Sequence, residues 1–291
     1  MIVDKKEKNK RKNWRIGPVG ILVVIALALF VVILALESKE ETEEVPVQVI
    51  AETPTRPVAA PYITPDTPME RLTLFAEMHN LSLSDWPESL IAFLEKYPET
   101  ESYVMNYPFY KDTQMPIDLT SSLGADEMPL FLQWDARWGY THYSGELFGT
   151  SGCGPACLSM VALHLLQDAK LTPRYIADFS TENGYYTEGM GSNWTLISEG
   201  GKQLGLDVET FYLDKYTVLE ELEAGNPIIC AVGPGDFTFT GHFIVLSGQE
   251  NGLLRINDPN SKIRSGQLWE FEKIIDQIEG AWICRLPQAE K

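Results

Sequence analysis

Cys153 stands in the run Thr150-Ser151-Gly152-Cys153-Gly154-Pro155-Ala156-Cys157, which leads into Leu158, Met160, Val161, Leu165 and Leu166. This reads as a glycine-rich turn entering a buried helix. Pro155 suits the first helical turn, where its missing N–H would be unpaired anyway, so Cys153 falls at or just before the helix N-terminus. A cysteine there feels the positive end of the helix dipole, and a nearby imidazolium lowers its pKa further. The free N–H groups of the first turn can bind a developing oxyanion. The other reading is a small buried hydrophobe, a common fate of free cysteine. A partner histidine separates the two.

The chain has four histidines. His79 lies in an apolar-periodic segment and His142 in a loop rich in Tyr and Gly. His164 follows Cys153 by eleven residues, about 16 Å of helical rise, too far to reach the thiol. His242 opens the most apolar strand candidate, Thr240-Gly241-His242-Phe243-Ile244-Val245-Leu246, and the next candidate ends at Asn257-Asp258-Pro259. Asn251-Gly252 between them is a strong hairpin signal. If it closes, the start of one strand lies beside the end of the next, and Asp258 comes within reach of His242 to orient the ring.

Four blocks in this order, Gln133-Trp134-Asp135-x-Arg137-Trp138, Gly152-Cys153-Gly154-Pro155, Gly241-His242 and Asp258-Pro259, resemble the C39-like group of papain-like cysteine peptidases, relatives of the bacteriocin leader-processing enzymes. The resemblance covers roughly residues 128–285. It implies an α+β papain-like fold, with the nucleophile on a central helix packed on an antiparallel sheet that carries the His and Asp. By the same resemblance Cys153, His242 and Asp258 form the catalytic triad and Gln133 supplies an oxyanion-hole amide beside the Cys153 N–H. The reaction is then hydrolysis of a peptide or protein substrate through a thioester, with no metal or organic cofactor. The same residues would serve a cell-wall peptide amidase or an acyl transferase. A binding module that has lost activity is the non-enzymatic alternative.

These residues need elements to hold them. Strand candidates are Val208–Leu213, Pro227–Val232, His242–Ser247, Leu253–Asn257 and Ala281–Arg285, set off by Gly, Asn, Pro and Asp. With one apolar helix ahead of them the order is α+β, a domain over 128–291. Upstream, 67–120 reads as a small helical prelude. Thr67-Pro68 and Ser84 to Pro87 mark helix starts, Leu72, Phe75, Ala76 and His79 recur at helical intervals, and Pro98 ends one helix and opens another. Its size predicts packing on the following domain rather than independent folding.

The first 66 residues read differently. Residues 1–15 carry seven basic and two acidic groups, and the run from Ile16 to Leu36 is uncharged. Those 21 residues would rise about 31 Å as a helix, the thickness of a bilayer core. The run is longer than the apolar part of a cleavable signal and has a poor cleavage site. The reading is a signal anchor with a cytoplasmic basic tail, a Pro/Glu/Thr-rich linker over 37–66 and a domain outside a bacterial cell. Beyond residue 15 the chain holds 16 basic against 39 acidic side chains, a surface that repels nucleic acid.

Cys230 and Cys284 lie in strand-like runs, as a disulfide or as two buried thiols. A zinc site from Cys153, Cys157 and His164 would lack the short-spaced ligand pairs that make such a reading strong. Trp134, Trp138, Tyr140, Tyr143, Tyr185, Tyr186 and Trp194 are cleft candidates, although aromatics at such positions more often serve packing.

Overall fold

The computed structural model describes residues 66–287. The expected basic tail, the span over 16–36 and the linker up to residue 65 lie outside this range. Among the described residues no helix is long and apolar enough to cross a membrane.

The organising element is a six-stranded antiparallel sheet in the order β5-β10-β6-β7-β8-β9. Its strands are β5 (Asp207–Thr210), β6 (Ile228–Val232), β7 (His242–Glu250), β8 (Leu253–Asn257), β9 (Leu268–Trp269) and β10 (Ile278–Arg285). Side chains alternate between the two faces, as the pleat requires. Ile229, Ala231, Phe243, Val245 and Trp282 belong to one core, and Ile228, Cys230, Val232, Ile244 and Leu246 to another. Both faces are covered, which is why β6 reads as an unbroken apolar run rather than an alternating one.

The helix over Cys153–Leu166 covers the first face. Every residue from Gly154 to Leu163 is buried, as expected of a helix apolar all round. Two further helices, over Pro173–Glu182 and Lys215–Glu223, start where Thr172 and Asp214 cap them by accepting from the N–H groups of Tyr175 and Thr217. The Lys215–Glu223 helix contributes Val218 and Leu222 to the second face. Strand β5 stops at Thr210, short of the expected Leu213, because its pairing with β10 runs only to Trp282 opposite Thr210. Two-residue hairpins, β1 (His142–Tyr143) with β2 (Glu146–Leu147) and β3 (Tyr186–Thr187) with β4 (Gly191–Ser192), complete the strands.

The β7–β8 hairpin closes as its turn chemistry predicts. Glu250 pairs with Leu253, and the intervening Asn251 and Gly252 both take positive φ, 54° and 81°, the pattern of a type I′ turn. The pairing then shifts by one between Leu246 and Gly248, so that Val245 faces Asn257. Continued along the strands, this register sets Asp258 opposite Ile244, one pleat from His242 and on its side. Without the bulge Asp258 would fall opposite Val245, on the other side.

In chain order the longer helices are α1 (Pro68–Met78), α2 (Glu88–Lys96), α3 (Glu101–Tyr110), α4 (Cys153–Leu166), α5 (Pro173–Glu182) and α6 (Lys215–Glu223), and the short helix α7 (Lys262–Ser265) follows β8. The first three form the prelude. Thr67 and Glu70 make a reciprocal capping box at the start of α1. The prelude core of Leu72, Trp86, Leu90, Leu94 and Val104 is completed by Tyr140 and Leu147 from the following domain. Tyr103 donates to the Gly139 carbonyl at 2.7 Å, Tyr140 donates to the Tyr103 carbonyl at 2.9 Å, and their rings stack at 4.6 Å. The prelude and the sheet domain therefore share one core.

Leu90→Ala, at a fully buried position, is expected to cost about 2–5 kcal/mol. Because the core is shared, urea unfolding followed by tryptophan fluorescence should remain a single transition displaced to lower urea. A separate low-urea transition for the prelude would show that it folds on its own.

Candidate active site

Cys153 is the first residue of α4, preceded by Gly152 and by a single helical turn over Phe148–Ser151. The turn is tight because glycines permit it. A Cβ on Gly152 would run into the Phe148 ring, and one on Gly154 into Ser192 of β4. Cys153 itself is only partly buried, whereas Cys157, one turn on, is fully enclosed.

His242 opens β7 and Asp258 follows the last residue of β8. Nε2 of His242 lies 2.8 Å from Oδ1 of Asp258, which leaves Nδ1 for the thiol of Cys153, with which the ring interacts electrostatically. Asp258 has no exposure at all. Its Oδ1 also accepts from the Asn260 N–H at 2.8 Å, and Oδ2 accepts from Nε of Arg264 at 2.5 Å. The structure thus brings together the three residues read from the sequence and adds Arg264 on α7. The sequence carries no signal for Arg264, since six residues past Asp258 it is simply one basic residue in a turn.

The charges of the three groups depend on one another. Burial alone would push the Cys153 thiol up, but the hydrogen bond and charge of His242, with the N–H groups of Phe243 and Gly154, bring it below the ordinary thiol value. Burial likewise opposes protonation of His242. Asp258, by charge and hydrogen bond, together with Cys153, raises its pKa to about 9. Burial would raise Asp258 too, and His242 and then Arg264 hold it below the usual carboxylate range. At neutral pH these directions give an imidazolium beside a carboxylate, next to a thiol whose ionisation the imidazolium favours. Cys157, by contrast, is pushed well above the ordinary thiol value by burial and stays neutral.

Gln133 is buried, lines the same cavity as Cys153 and His242, and donates from Nε2 to the Gly149 carbonyl at 2.9 Å. One Nε2 hydrogen remains over. The motif around it is fastened to the Asp258 turn, because the Gln133 N–H donates to Pro259 O at 2.7 Å and the Trp134 indole to Asn260 O at 3.3 Å. Asp135 and Arg137 pair with each other at 2.7 Å, and Trp138 is fully buried.

Other sequence candidates lie elsewhere. His79 follows α1 and packs its ring at a tilt against Phe75, His142 is exposed on β1, and His164 sits late on α4, where burial lowers its pKa. Cys230 and Cys284 are two buried free thiols rather than a disulfide. Of the seven aromatic cleft candidates, Trp194 lines the cavity beside Cys153, whereas Trp138, Tyr140, Tyr143 and Tyr185 are buried packing residues.

The sequence profile of the Peptidase_C39 like family matches residues 125–289, more than half of the chain, and the chain belongs to this family. Three solved structures are similar to it. The peptidase domain of Streptococcus ComA, described as a bifunctional ABC transporter involved in quorum sensing, is 23% identical over 55% of this chain and 99% of that one, with a TM-score of 0.41. The peptidase domain of Streptococcus mutans ComA in complex with a small-molecule inhibitor is 22% identical over 53% of this chain and 96% of that one, with a TM-score of 0.33. A C39-like peptidase from Bacillus anthracis is 15% identical over 60% of this chain and 98% of that one, with a TM-score of 0.39. Among curated proteins none matches.

The charge arrangement has a pH signature. His242 takes up a proton on folding, so the stability it contributes is fully present below the free-histidine value of about 6.5 and declines as pH rises through about 9. Asp258, with its lowered pKa, acts in the opposite sense and loses its contribution as the solution becomes acidic. Thiol alkylation of Cys153, read by intact mass against pH, is expected to persist below the ordinary thiol range, and His242→Ala should move its onset upward. An unshifted onset in His242→Ala would remove the imidazolium from this account.

Proposed function

We propose that the chain is a membrane-anchored cysteine peptidase acting outside the cell, with Cys153 as nucleophile, His242 as acid and base, Asp258 as the residue that orients the ring, and Gln133 as an oxyanion donor. The observation that carries this reading is the placement of His242 between a fully buried carboxylate and a thiol at the N-terminus of the buried helix. Membership of the Peptidase_C39 like family supports a peptide substrate. The basic tail and the 21-residue apolar run that follows it support the anchor and its orientation.

The residues perform the reaction in two halves. The Cys153 thiolate attacks the scissile carbonyl carbon, forming a C–S bond while the carbonyl electrons move onto oxygen. The N-terminal N–H of α4 and the remaining Nε2 hydrogen of Gln133 receive that oxyanion. The intermediate collapses as the imidazolium of His242 gives its Nδ1 proton to the departing amine, and the C–N bond breaks to leave a thioester. Neutral His242 then takes a proton from water as the water attacks the thioester. The C–S bond breaks, the acid product leaves, and the thiolate–imidazolium pair returns. Asp258 remains a carboxylate throughout and fixes the ring through Nε2.

For the full chain in detergent, a cysteine-directed peptidyl electrophile should add one equivalent to the wild type, and Cys153→Ala should abolish both labelling and peptide hydrolysis. His242→Ala is expected to lower kcat/KM by about 100- to 10,000-fold, and Gln133→Ala by about 100- to 1000-fold with little change in labelling stoichiometry. A Cys153→Ala protein that retained wild-type hydrolysis would overturn the assignment.

A further inference from the structure

Two cavities meet at Cys153 and His242, and they differ in charge. One, of about 520 Å³, is lined by Ser192 and Trp194 and carries the carboxylates of Glu146 and Glu279. The other, of about 380 Å³, has the α2 residues Ser89, Phe93 and Lys96 and the following Tyr97 as one wall, with Gln133 and Asn260 also in its lining. That wall comes from the prelude, outside the residues matched by the family profile.

The wall is held in place by the site itself. Glu99, just after α2, accepts from the Ser261 hydroxyl, and its second oxygen accepts from the Ile263 N–H at 3.1 Å, at the start of α7. Arg264, which binds Asp258, lies over the Tyr97 ring at 5.9 Å. The Tyr103 side chain sits against Gly149, leaving no room there for a Cβ, and Gly149 is the residue whose carbonyl receives Gln133. Moving the prelude away would therefore disturb both Asp258 and Gln133, so it is a fixed wall rather than a removable plug.

Lys96 is the only lysine or arginine lining either cavity among the described residues. Its ammonium lies 5.3 Å from the centre of the Tyr97 ring and 4.9 Å from that of Phe239, and it makes no ion pair among the described residues. A lysine in the last turn of a helix also suits the helix dipole, but that role does not require it to face the cavity. Gln133 Oε1 and Asn260 Oδ1 are buried acceptors without a protein partner, on residues only 3% and 4% exposed. Such atoms are costly unless a ligand donor meets them, and peptide N–H groups are donors of the right kind.

We propose that the α2 wall forms a specificity subsite for a carboxylate-bearing peptide residue, with Lys96 binding the carboxylate and the Gln133 and Asn260 oxygens receiving peptide N–H groups. The carboxylate belongs to an Asp or Glu side chain or to the free C-terminus of a short peptide. Glu146 and Glu279 repel such a group from the other cavity, so the charges also set the direction in which the peptide lies. This inference rests on the peptidase reading above and adds a substrate class to it.

The test uses the full chain in detergent and a peptide set carrying Glu, Gln or Lys at each position around the scissile bond, every peptide with a free and with an amidated C-terminus. At one position, or for free over amidated termini, the carboxylate is expected to raise kcat/KM by about 3- to 10-fold over its neutral counterpart, as for a partly exposed ion pair. The gain should shrink in high salt. Lys96→Gln should abolish it, and Lys96→Glu should turn it into a preference for Lys. A Glu preference over Gln identifies a side-chain carboxylate, and a loss on amidation identifies the terminus. Peptide cleavage without a charge preference, or with one that persists in Lys96→Glu, overturns the subsite alone. Absence of both cleavage and Cys153 labelling in the wild type overturns the peptidase reading and this inference together.

Discussion

A carboxylate with no contact with solvent is the constraint around which this molecule is arranged. Asp258 is tolerable inside because three donors converge on it: the His242 ring, the Asn260 N–H and the Arg264 guanidinium. Removing one partner of such a buried pair typically costs about 3–5 kcal/mol, because the remaining charge cannot be rehydrated. The same convergence favours a protonated His242 beside Cys153, so the electrostatics that permit the buried charge also favour ionisation of the thiol. The stability of the buried carboxylate and the charge state of its neighbours here have one physical source.

Several elements exist to bring those donors together. The two-residue turn at Asn251-Gly252 aligns β7 with β8, and the bulge near Ser247 places Asp258 on the side of His242. The short helix α7 brings Arg264 back toward Asp258. Its N-terminus is held in turn by Glu99 from the prelude. The Gln133 segment is tied to the same turn through Pro259 O and Asn260 O. The prelude, the Gln133 loop and the sheet therefore converge on the residues Asp258 to Arg264, although these regions lie far apart along the chain.

The distribution of charge follows a similar logic. The chain as a whole is strongly acidic, which disfavours polyanionic partners at long range. Inside the site the sign is set by short-range contacts instead. An imidazolium and a guanidinium surround one carboxylate, and a lysine lines the neighbouring cavity. Local hydrogen bonds and low exposure thus decide the behaviour of the site against the net charge of the molecule.

The sequence by itself determined the features that depend on neighbours in the chain. The glycine and proline around Cys153 specify a helix start, the apolar run after it specifies a buried helix, and Asn251-Gly252 specifies a hairpin. From these follow the α+β order and the adjacency of the two strands that carry His242 and Asp258, while the bulge that sets their register became visible only in the structure. The start of α1 was legible for the same reason, since Thr67 and the helix it caps are adjacent. The strand ends were legible only to within a few residues: β5 ends at Thr210, before the Leu213 expected, and β10 extends back to Ile278 to meet Val232. Tertiary structure alone decided that Arg264 binds Asp258, that Cys230 and Cys284 stay unbonded thiols, and that the prelude forms a wall of the cavity beside the thiol. Each of these is a contact between residues whose spacing carries no period and no turn chemistry, and it comes into being only when the sheet, its bulge and the shared core have closed.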